Sequence, residues 1–233
     1  MRIQGISGSR GVAVGNVYKY IQEEIVIPDY EVADDQVESE IAKFASAMAA
    51  TLKQLDTIRQ KALVDMGADE AAIFEAHMQI AQDPSLSDGI KSLVENSKMN
   101  VVAATAQTIE TFAAIFIGMD DPYMRERGAD IKDIGDRLMR NMLGMNPRGL
   151  SHISGEVIIV AHDLAPSDTA SLDKNVVKGI VTAAGGPTSH AAIMARTLEI
   201  PAVMGVGDIE SFVDGDKAVV LGTDGIVEIN PSD

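Results

Sequence analysis

The chain has no cysteine and no tryptophan, and aromatic residues make up only 4% of its 233 positions. Without cysteine there are no disulfides, no thiolate zinc site and no thiol nucleophile. With so few aromatics the core must be built from Ile, Val, Leu, Met and Ala, for which a hydrophobic share of 46% is ample. Positive charge is scarce too: 19 Lys and Arg stand against 35 Asp and Glu, a formal net charge of −16. That balance argues against a nucleic-acid groove, which needs a basic face, and against docking on an anionic membrane. A basic protein partner is the complementary expectation, with solubility as the alternative reason for the surplus acid. No run comes near the ~18–20 uninterrupted apolar residues of a membrane span, and Met1–Gly5 shows no signal-peptide apolar core. A cytoplasmic protein is expected.

What the chain does have is two textures. Residues 1–30 carry three basic and three acidic groups, residues 31–144 carry 11 and 20, and residues 145–233 carry 5 and 12, for net charges of 0, −9 and −7. From Asp34 to Met66 the positions Val37, Ile41, Phe44, Met48, Leu52, Leu55, Ile58, Ala62 and Met66 step by three or four, the stripe of one helix ~50 Å long. Three partner helices are predicted. One spans Ala71–Gln82, with Phe74, Met78 and Ala81 on its apolar face and a stop at Asp83-Pro84. One spans Val101–Ile117, with Val102, Ala106, Ile109, Ala113 and Phe116 together. The last starts at the cap-plus-proline pair Asp121-Pro122, runs through Tyr123, Arg127, Ile131, Ile134 and Leu138, and closes at Gly144.

Elsewhere the pattern is that of strands: Gly11–Tyr20 around Val12, Val14 and Val17, then Val157–Ala161, Val177–Thr182, Ala202–Gly205, Ala218–Leu221 and Ile226–Ile229, with a helix over Ala191–Glu199. The predicted architecture is therefore α/β with an inserted α-helical bundle. Residues 1–30 and 145–233 form one discontinuous domain and residues 31–144 the helical domain.

Of the four histidines, His77 reads as a solvated or satisfied helical residue, and His152 and His162 flank a predicted strand in loops. His190 stands apart. It follows a β run ending at Ala183-Ala184, then Gly185-Gly186-Pro187-Thr188-Ser189, where Thr188 or Ser189 can cap the next helix. A histidine at such a helix N-terminus meets unpaired N–H groups and the positive dipole end, an anion-binding arrangement. Neutral imidazole carries a nucleophilic lone pair and can take a phosphoryl group without a general base. The plain alternative is a strand–glycine–helix turn whose histidine is incidental.

The string Gly185-Gly186-Pro187-Thr188-Ser189-His190-Ala191-Ala192-Ile193-Met194-Ala195-Arg196 resembles the phosphohistidine signature of the phosphoenolpyruvate-utilising family, followed as in that family by Leu198-Glu199-Ile200-Pro201-Ala202-Val203. Gly5-Ile6-Ser7-Gly8-Ser9-Arg10-Gly11-Val12-Ala13-Val14-Gly15 is similar to the start of the Enzyme I branch. Ala72-Ile73-Phe74-Glu75-Ala76-His77, Asp83-Pro84, Asp121-Pro122-Tyr123-Met124-Arg125-Glu126-Arg127, Asp130 and Asp133-Ile134-Gly135 are similar to the helical domain with which that branch binds the phosphocarrier HPr. The resemblance covers essentially the whole chain and matches the N-terminal half of Enzyme I of the bacterial phosphotransferase system.

The resemblance implies a swivelling phosphohistidine domain in which His190 carries the phosphoryl group. Thr169, in the loop Asp163-Leu164-Ala165-Pro166-Ser167-Asp168-Thr169-Ala170, would hydrogen-bond the imidazole. Gly186, Thr188, Ser189 and Arg196 would neighbour the phosphate, with a structural role the alternative for Arg196. Glu75, His77, Met78, Asp83 and Arg127 would face HPr. No metal or cofactor is expected in this part of the protein. Phosphoenolpyruvate and Mg²⁺ would bind a C-terminal barrel domain that the chain lacks, and the part is expected to be monomeric where the full-length enzyme is a homodimer. The alternatives are a phosphohistidine domain of a pyruvate phosphate dikinase or phosphoenolpyruvate synthase, and a non-catalytic HPr-binding module.

Overall fold

A computed structural model describes residues 1–145, 150, 153, 155–170 and 172–231; His152 lies outside them. The long apolar stripe folds as a single helix, α1 (Val37–Asp65), entered through a 3-10 turn at Asp34–Gln36. It buries Phe44, Ala47, Thr51, Leu55 and Ala62, again at steps of three, four or seven. Four more helices follow: α2 (Ala68–Ala81), α3 (Pro84–Ser97), α4 (Val101–Ile117) and α5 (Pro122–Leu143).

Helix α3 corrects the reading of Asp83-Pro84 as a stop alone. Asp83 has an extended backbone and its Oδ1 accepts from the Ser85 N–H at 2.8 Å, while Pro84 takes the first helical position. The pair that ends α2 therefore starts α3, which buries Leu86, Ile90 and Val94 at four-residue steps. The helices share a core that includes Phe44, Leu86, Ile90, Ile109, Ile134 and Leu138. Thr105 and Thr108 enter it at no polar cost, because their hydroxyls donate to the carbonyls of Val101 and Ala104 at 2.7 and 2.8 Å. Helix α5 crosses α4 closely at Gly135, where a Cβ would lie 2.6 Å from the Ile109 side chain.

The rest of the chain forms one eight-stranded sheet: β1 (Arg2–Gln4), β2 (Ile6–Ser9), β3 (Val12–Tyr20), β4 (Val157–Ala161), β5 (Val177–Thr182), β6 (Ala202–Met204), β7 (Lys217–Leu221) and β8 (Ile226–Ile229), in the order β1-β8-β7-β3-β4-β5-β6-β2. Strands β3 to β6 run parallel, and the flanking pairs are antiparallel. The short helices α6 (Pro166–Thr169) and α7 (His190–Thr197) make the crossovers from β4 to β5 and from β5 to β6.

Strands β1 and β2 are absent from the sequence reading. A single residue, Gly5, separates them, yet they lie at opposite edges of the sheet, so this sheet curls until its edges meet. In β3 the inward residues are Ala13 and Val17, and Val12 and Val14 turn outward.

Contacts divide the chain into Met1–Glu23 with Gly149–Asp233, and Glu24–Arg148. The first piece of the α/β unit thus stops at Glu23 rather than at residue 30. The cause is local: the Asn100 amide donates to the carbonyls of Pro28 (2.8 Å) and Tyr30 (3.4 Å), and the Val32 N–H to the Lys98 carbonyl (2.8 Å), which ties this segment to the helices. Among the described residues no helix is long and apolar enough to cross a membrane.

Candidate phosphohistidine site

Three adjacent parallel strands end in register at Tyr20 (β3), Ala161 (β4) and Thr182 (β5). The segments that leave them carry the candidate residues, at the carboxyl edge where α/β sheets place their ligands. The chain leaving β5 is tied back to β4 by bonds from the Ala183 N–H to Ala161 and from the Ala184 N–H to His162, both 2.9 Å. Gly185 then turns with φ +89°, a conformation that favours glycine.

Helix α7 begins at His190 itself. Its cap is Ser189, whose Oγ accepts from the Ala192 N–H at 3.3 Å and donates to the Gly186 carbonyl at 2.9 Å. Of the two capping candidates the structure therefore uses Ser189, and Thr188 is exposed beside it. His190 is half-buried, with the helix behind it buried through Ala191, Ala192, Met194 and Ala195. An imidazole in this place borders the helix N-terminus, which favours an incoming anion. A Cβ on Gly186 would meet nothing within 4 Å, so neither packing nor backbone conformation requires glycine there, whereas a Cβ on Gly185 would lie 3.2 Å from the Ser189 Oγ.

Two of the expected residues make other contacts in the structure. Thr169 is fully buried on α6, which packs against α7. Among the described residues it makes no hydrogen bond to the imidazole. Its hydroxyl lies within donating distance of the carbonyls of Pro166 (3.0 Å) and Ala165 (3.3 Å), the usual internal bond of a threonine in a helical turn. Toward an imidazole it can act only as an acceptor while that proton is so used. Arg196 lies six residues beyond His190, ~9 Å along the helix. Its Nη1 donates to the Gly8 carbonyl of β2 at 2.8 Å, so it ties helix to sheet edge.

Sequence reading missed the residues that hold the loop of α6. Asp168 is wholly buried; its Oδ1 accepts from the Tyr20 hydroxyl at 2.8 Å and its Oδ2 from the Ala165 N–H at 3.1 Å and the Gln22 amide at 3.4 Å. Asp168 was visible within a motif, but Tyr20 and Gln22 stand nearly 150 positions earlier and gave no local signal. His162, in the loop after β4, is exposed.

On the helical unit, Glu75 and Asp83 are exposed and Met78 and Arg127 half-buried. His77 is different: it has no exposed surface. The spacing explains why, since Ala71, Phe74, His77 and Ala81 form the buried stripe of α2 and Met78 sits at its margin. His77 packs edge-on to Phe74, with ring centroids 5.8 Å apart, and approaches Asp130 and Asp133 of α5. It is a core residue and not a surface contact. Asp83 caps α3 with one carboxylate oxygen, and Arg127 Nη1 lies 3.6 Å from Asp130 Oδ2. Among the described residues, no group of three or more His, Asp or Glu side chains is arranged to hold a metal ion.

The sheet with its crossover helix headed by His190, and the helical unit inserted into it, can be compared with known proteins. Residues 4–127 match the family described as PEP-utilising enzyme, N-terminal, and residues 153–225 match PEP-utilising enzyme, mobile domain. The chain belongs to this family. The phosphoenolpyruvate-protein phosphotransferase of Listeria monocytogenes is 43% identical over 232 residues, and that of Geobacillus stearothermophilus 44% identical over 231. In both cases the match spans 99% of this chain and 40% of the relative's length. Among solved structures, the solution structure of an Enzyme I protein (nEIt) superposes with a TM-score of 0.82 at 40% identity, covering 99% of this chain and 94% of that one. The N-terminal domain of Enzyme 1 - Nitrogen shares the fold, with a TM-score of 0.65 at 24% identity and the same coverages.

Proposed function

We propose that this chain is a phosphoryl carrier of the bacterial phosphotransferase system, the N-terminal part of a phosphoenolpyruvate-protein phosphotransferase. His190 accepts a phosphoryl group, from phosphoenolpyruvate in the full-length enzyme, and exchanges it reversibly with a histidine of HPr. The observation that carries this reading is the position of His190: the first residue of a capped helix, half-exposed, at the carboxyl edge of the parallel strands and inside an intact Gly-Gly-x-Thr-Ser-His string. The phosphotransferase names of the relatives favour it over a dikinase or synthase.

The step is an in-line displacement. The lone pair of one His190 ring nitrogen forms a P–N bond as the P–N bond to the donor imidazole breaks and that imidazole recovers its lone pair. Each ring keeps the proton on its other nitrogen, so no net proton transfer accompanies the exchange. The protein's share is positioning, together with the N–H groups at the α7 N-terminus near the developing charge. Glu75, Met78, Asp83 and Arg127 on the helical unit are the proposed HPr-facing side chains. The proposal places phosphoenolpyruvate and Mg²⁺ on a C-terminal barrel domain of the full-length enzyme.

Incubation with ³²P-labelled phospho-HPr tests the reading. Acid-labile label at His190, absent in His190→Ala, is expected, and labelled phosphoenolpyruvate with Mg²⁺ alone is expected to give none. Label persisting in His190→Ala overturns it, and HPr binding without any label supports a binding module instead.

A further inference from the structure

The described residues place a fully buried carboxylate, Asp168, directly before Thr169 on the turn that packs against the His190 helix. Helix α6 is only four residues long, too short to hold its own conformation by internal hydrogen bonds. Its shape therefore depends on what anchors it. Asp168 supplies the anchor from within, accepting from the Ala165 N–H at 3.1 Å, and from outside, accepting from the Tyr20 hydroxyl at 2.8 Å and the Gln22 amide at 3.4 Å. A buried carboxylate is tolerated only when such donors surround it, so this group is committed to the geometry they define.

The place of the anchor connects it to His190. Tyr20, Ala161 and Thr182 are neighbours across three parallel strands, and the chain beyond Ala161 becomes α6 while the chain beyond Thr182 becomes the Gly-Gly turn and α7. The end of β3 thus fixes, through one hydroxyl, the turn on which the histidine helix rests. We propose that Asp168, clamped by Tyr20 and Gln22, is a positioning residue for His190: it holds α6 in the register that presents the imidazole of α7 in one orientation. The inference rests on the reading of His190 as the phosphoryl carrier.

Tyr20→Phe is the discriminating variant, because it removes one hydroxyl and leaves the ring and the strand in place. The measurements are the ¹⁵N side-chain signals of His190, the melting temperature, the affinity for HPr, and the single-turnover rate of phosphoryl transfer from phospho-HPr. Tyr20→Phe is expected to melt within a few degrees of the wild type and to bind HPr with unchanged affinity. It should shift or split the His190 ring signals and slow transfer about five- to tenfold, the effect of one orienting hydrogen bond. Asp168→Asn should produce the same ring signature, and the double variant Tyr20→Phe/Asp168→Asn should be no slower than Asp168→Asn alone. Should Asp168→Asn fail to fold, Tyr20→Phe still decides the matter. A folded Tyr20→Phe protein with wild-type ring signals and rate overturns the clamp. A wild-type protein that takes no label overturns the functional reading instead, and the ring signals then judge the clamp by themselves.

Discussion

His77 Nε2 lies 3.1 Å from Asp130 Oδ1, both side chains buried, and the same ring's Nδ1 is 3.8 Å from Asp133 Oδ2. Neither ring nitrogen meets its carboxylate in the geometry of an aligned hydrogen bond, so the contact is a close approach of buried polar groups. Removing the ring leaves Asp130 in the core with Arg127 but without its nearest polar neighbour. His77→Leu should therefore lower the unfolding free energy by about 1–3 kcal/mol, read from urea denaturation. In an Asp130→Asn background the same change should cost measurably less. Strict additivity of the two substitutions would show that the pair is not coupled.

Stability at the two pH extremes follows from two surface pairs. Burial, and then the hydrogen bond to and the negative charge of Glu40, push the Tyr30 phenol above its ordinary value; its hydroxyl donates to Glu40 Oε1 at 3.0 Å, while Oε2 accepts from the Val101 N–H of α4 at 2.7 Å. A raised folded-state value means stability that is complete below the ordinary phenol value of 10.0 and lost as pH rises through the higher one. Wild type should then lose stability faster than Tyr30→Phe in strong alkali. Asp34 behaves oppositely: its hydrogen bond with Lys98 at 2.6 Å, and then the charge of that ammonium, hold its carboxyl below the ordinary 3.8. Its small contribution is present above that value and disappears as pH falls through the lowered one. Denaturation midpoints followed against pH for wild type, Tyr30→Phe and Asp34→Asn check both signs, and parallel curves would contradict them.

Much of this was written locally in the chain. The three-and-four stripe from Val37 onward and the apolar runs of β4, β5 and β8 needed only their own residues, as did the cap-and-turn chemistry around His190. What escaped depends on partners far away in sequence. Strands β1 and β2 are three and four residues long and exist because Arg2 pairs with Glu228 and Ile6 with Met204. Whether His77 was solvated or satisfied was not decidable locally because the acids it meets lie on α5, and Tyr20 looked like the end of a strand because Asp168 lies 148 positions on. A local signal that misled was Asp83-Pro84, where the same dipeptide ends one helix and begins the next.

Steering of the proposed encounter with HPr is testable through salt. Residues 31–144 hold nine of the sixteen excess negative charges, and Asp69, Glu75 and Asp83 on or beside α2 are exposed. Attraction between this acidic unit and a basic partner acts over distances that salt screens, ~10 Å at 0.1 M. The association rate with HPr, measured by stopped flow, should fall as salt is added while the dissociation rate changes little. An association rate indifferent to salt would remove electrostatic steering from the account.

Gly185 and Gly186 are adjacent but should respond in opposite ways to the same methyl group. Gly185 holds φ +89° and its Cβ would lie a tight 3.2 Å from Ser189 Oγ, so Gly185→Ala should destabilise the protein by about 1–2 kcal/mol. Gly186 has neither constraint. Gly186→Ala should leave the urea midpoint unchanged or raise it slightly, because the unfolded chain loses freedom. If the open side of Gly186 serves the incoming phosphoryl group, transfer from phospho-HPr should nevertheless slow about tenfold. A Gly186→Ala protein as fast as wild type would remove this residue from the site.

Ser189 separates two things a residue beside His190 can do. Its Oγ caps α7 through the Ala192 N–H and also donates to the Gly186 carbonyl. Ser189→Ala loses both and should cost about 1 kcal/mol of stability, with a moderate slowing of transfer. Ser189→Asp restores the cap acceptor, though not the donor to Gly186, and should recover most of that stability. It also sets a carboxylate next to the place where a phosphoryl group must arrive, and like charge there opposes the transition state. The aspartate variant should therefore be the more stable of the two and the slower. Added salt should restore part of its rate and none of the alanine variant's, because only the former defect is electrostatic. Equal rates for the two variants at every salt concentration would mean that no anion approaches Ser189 during turnover.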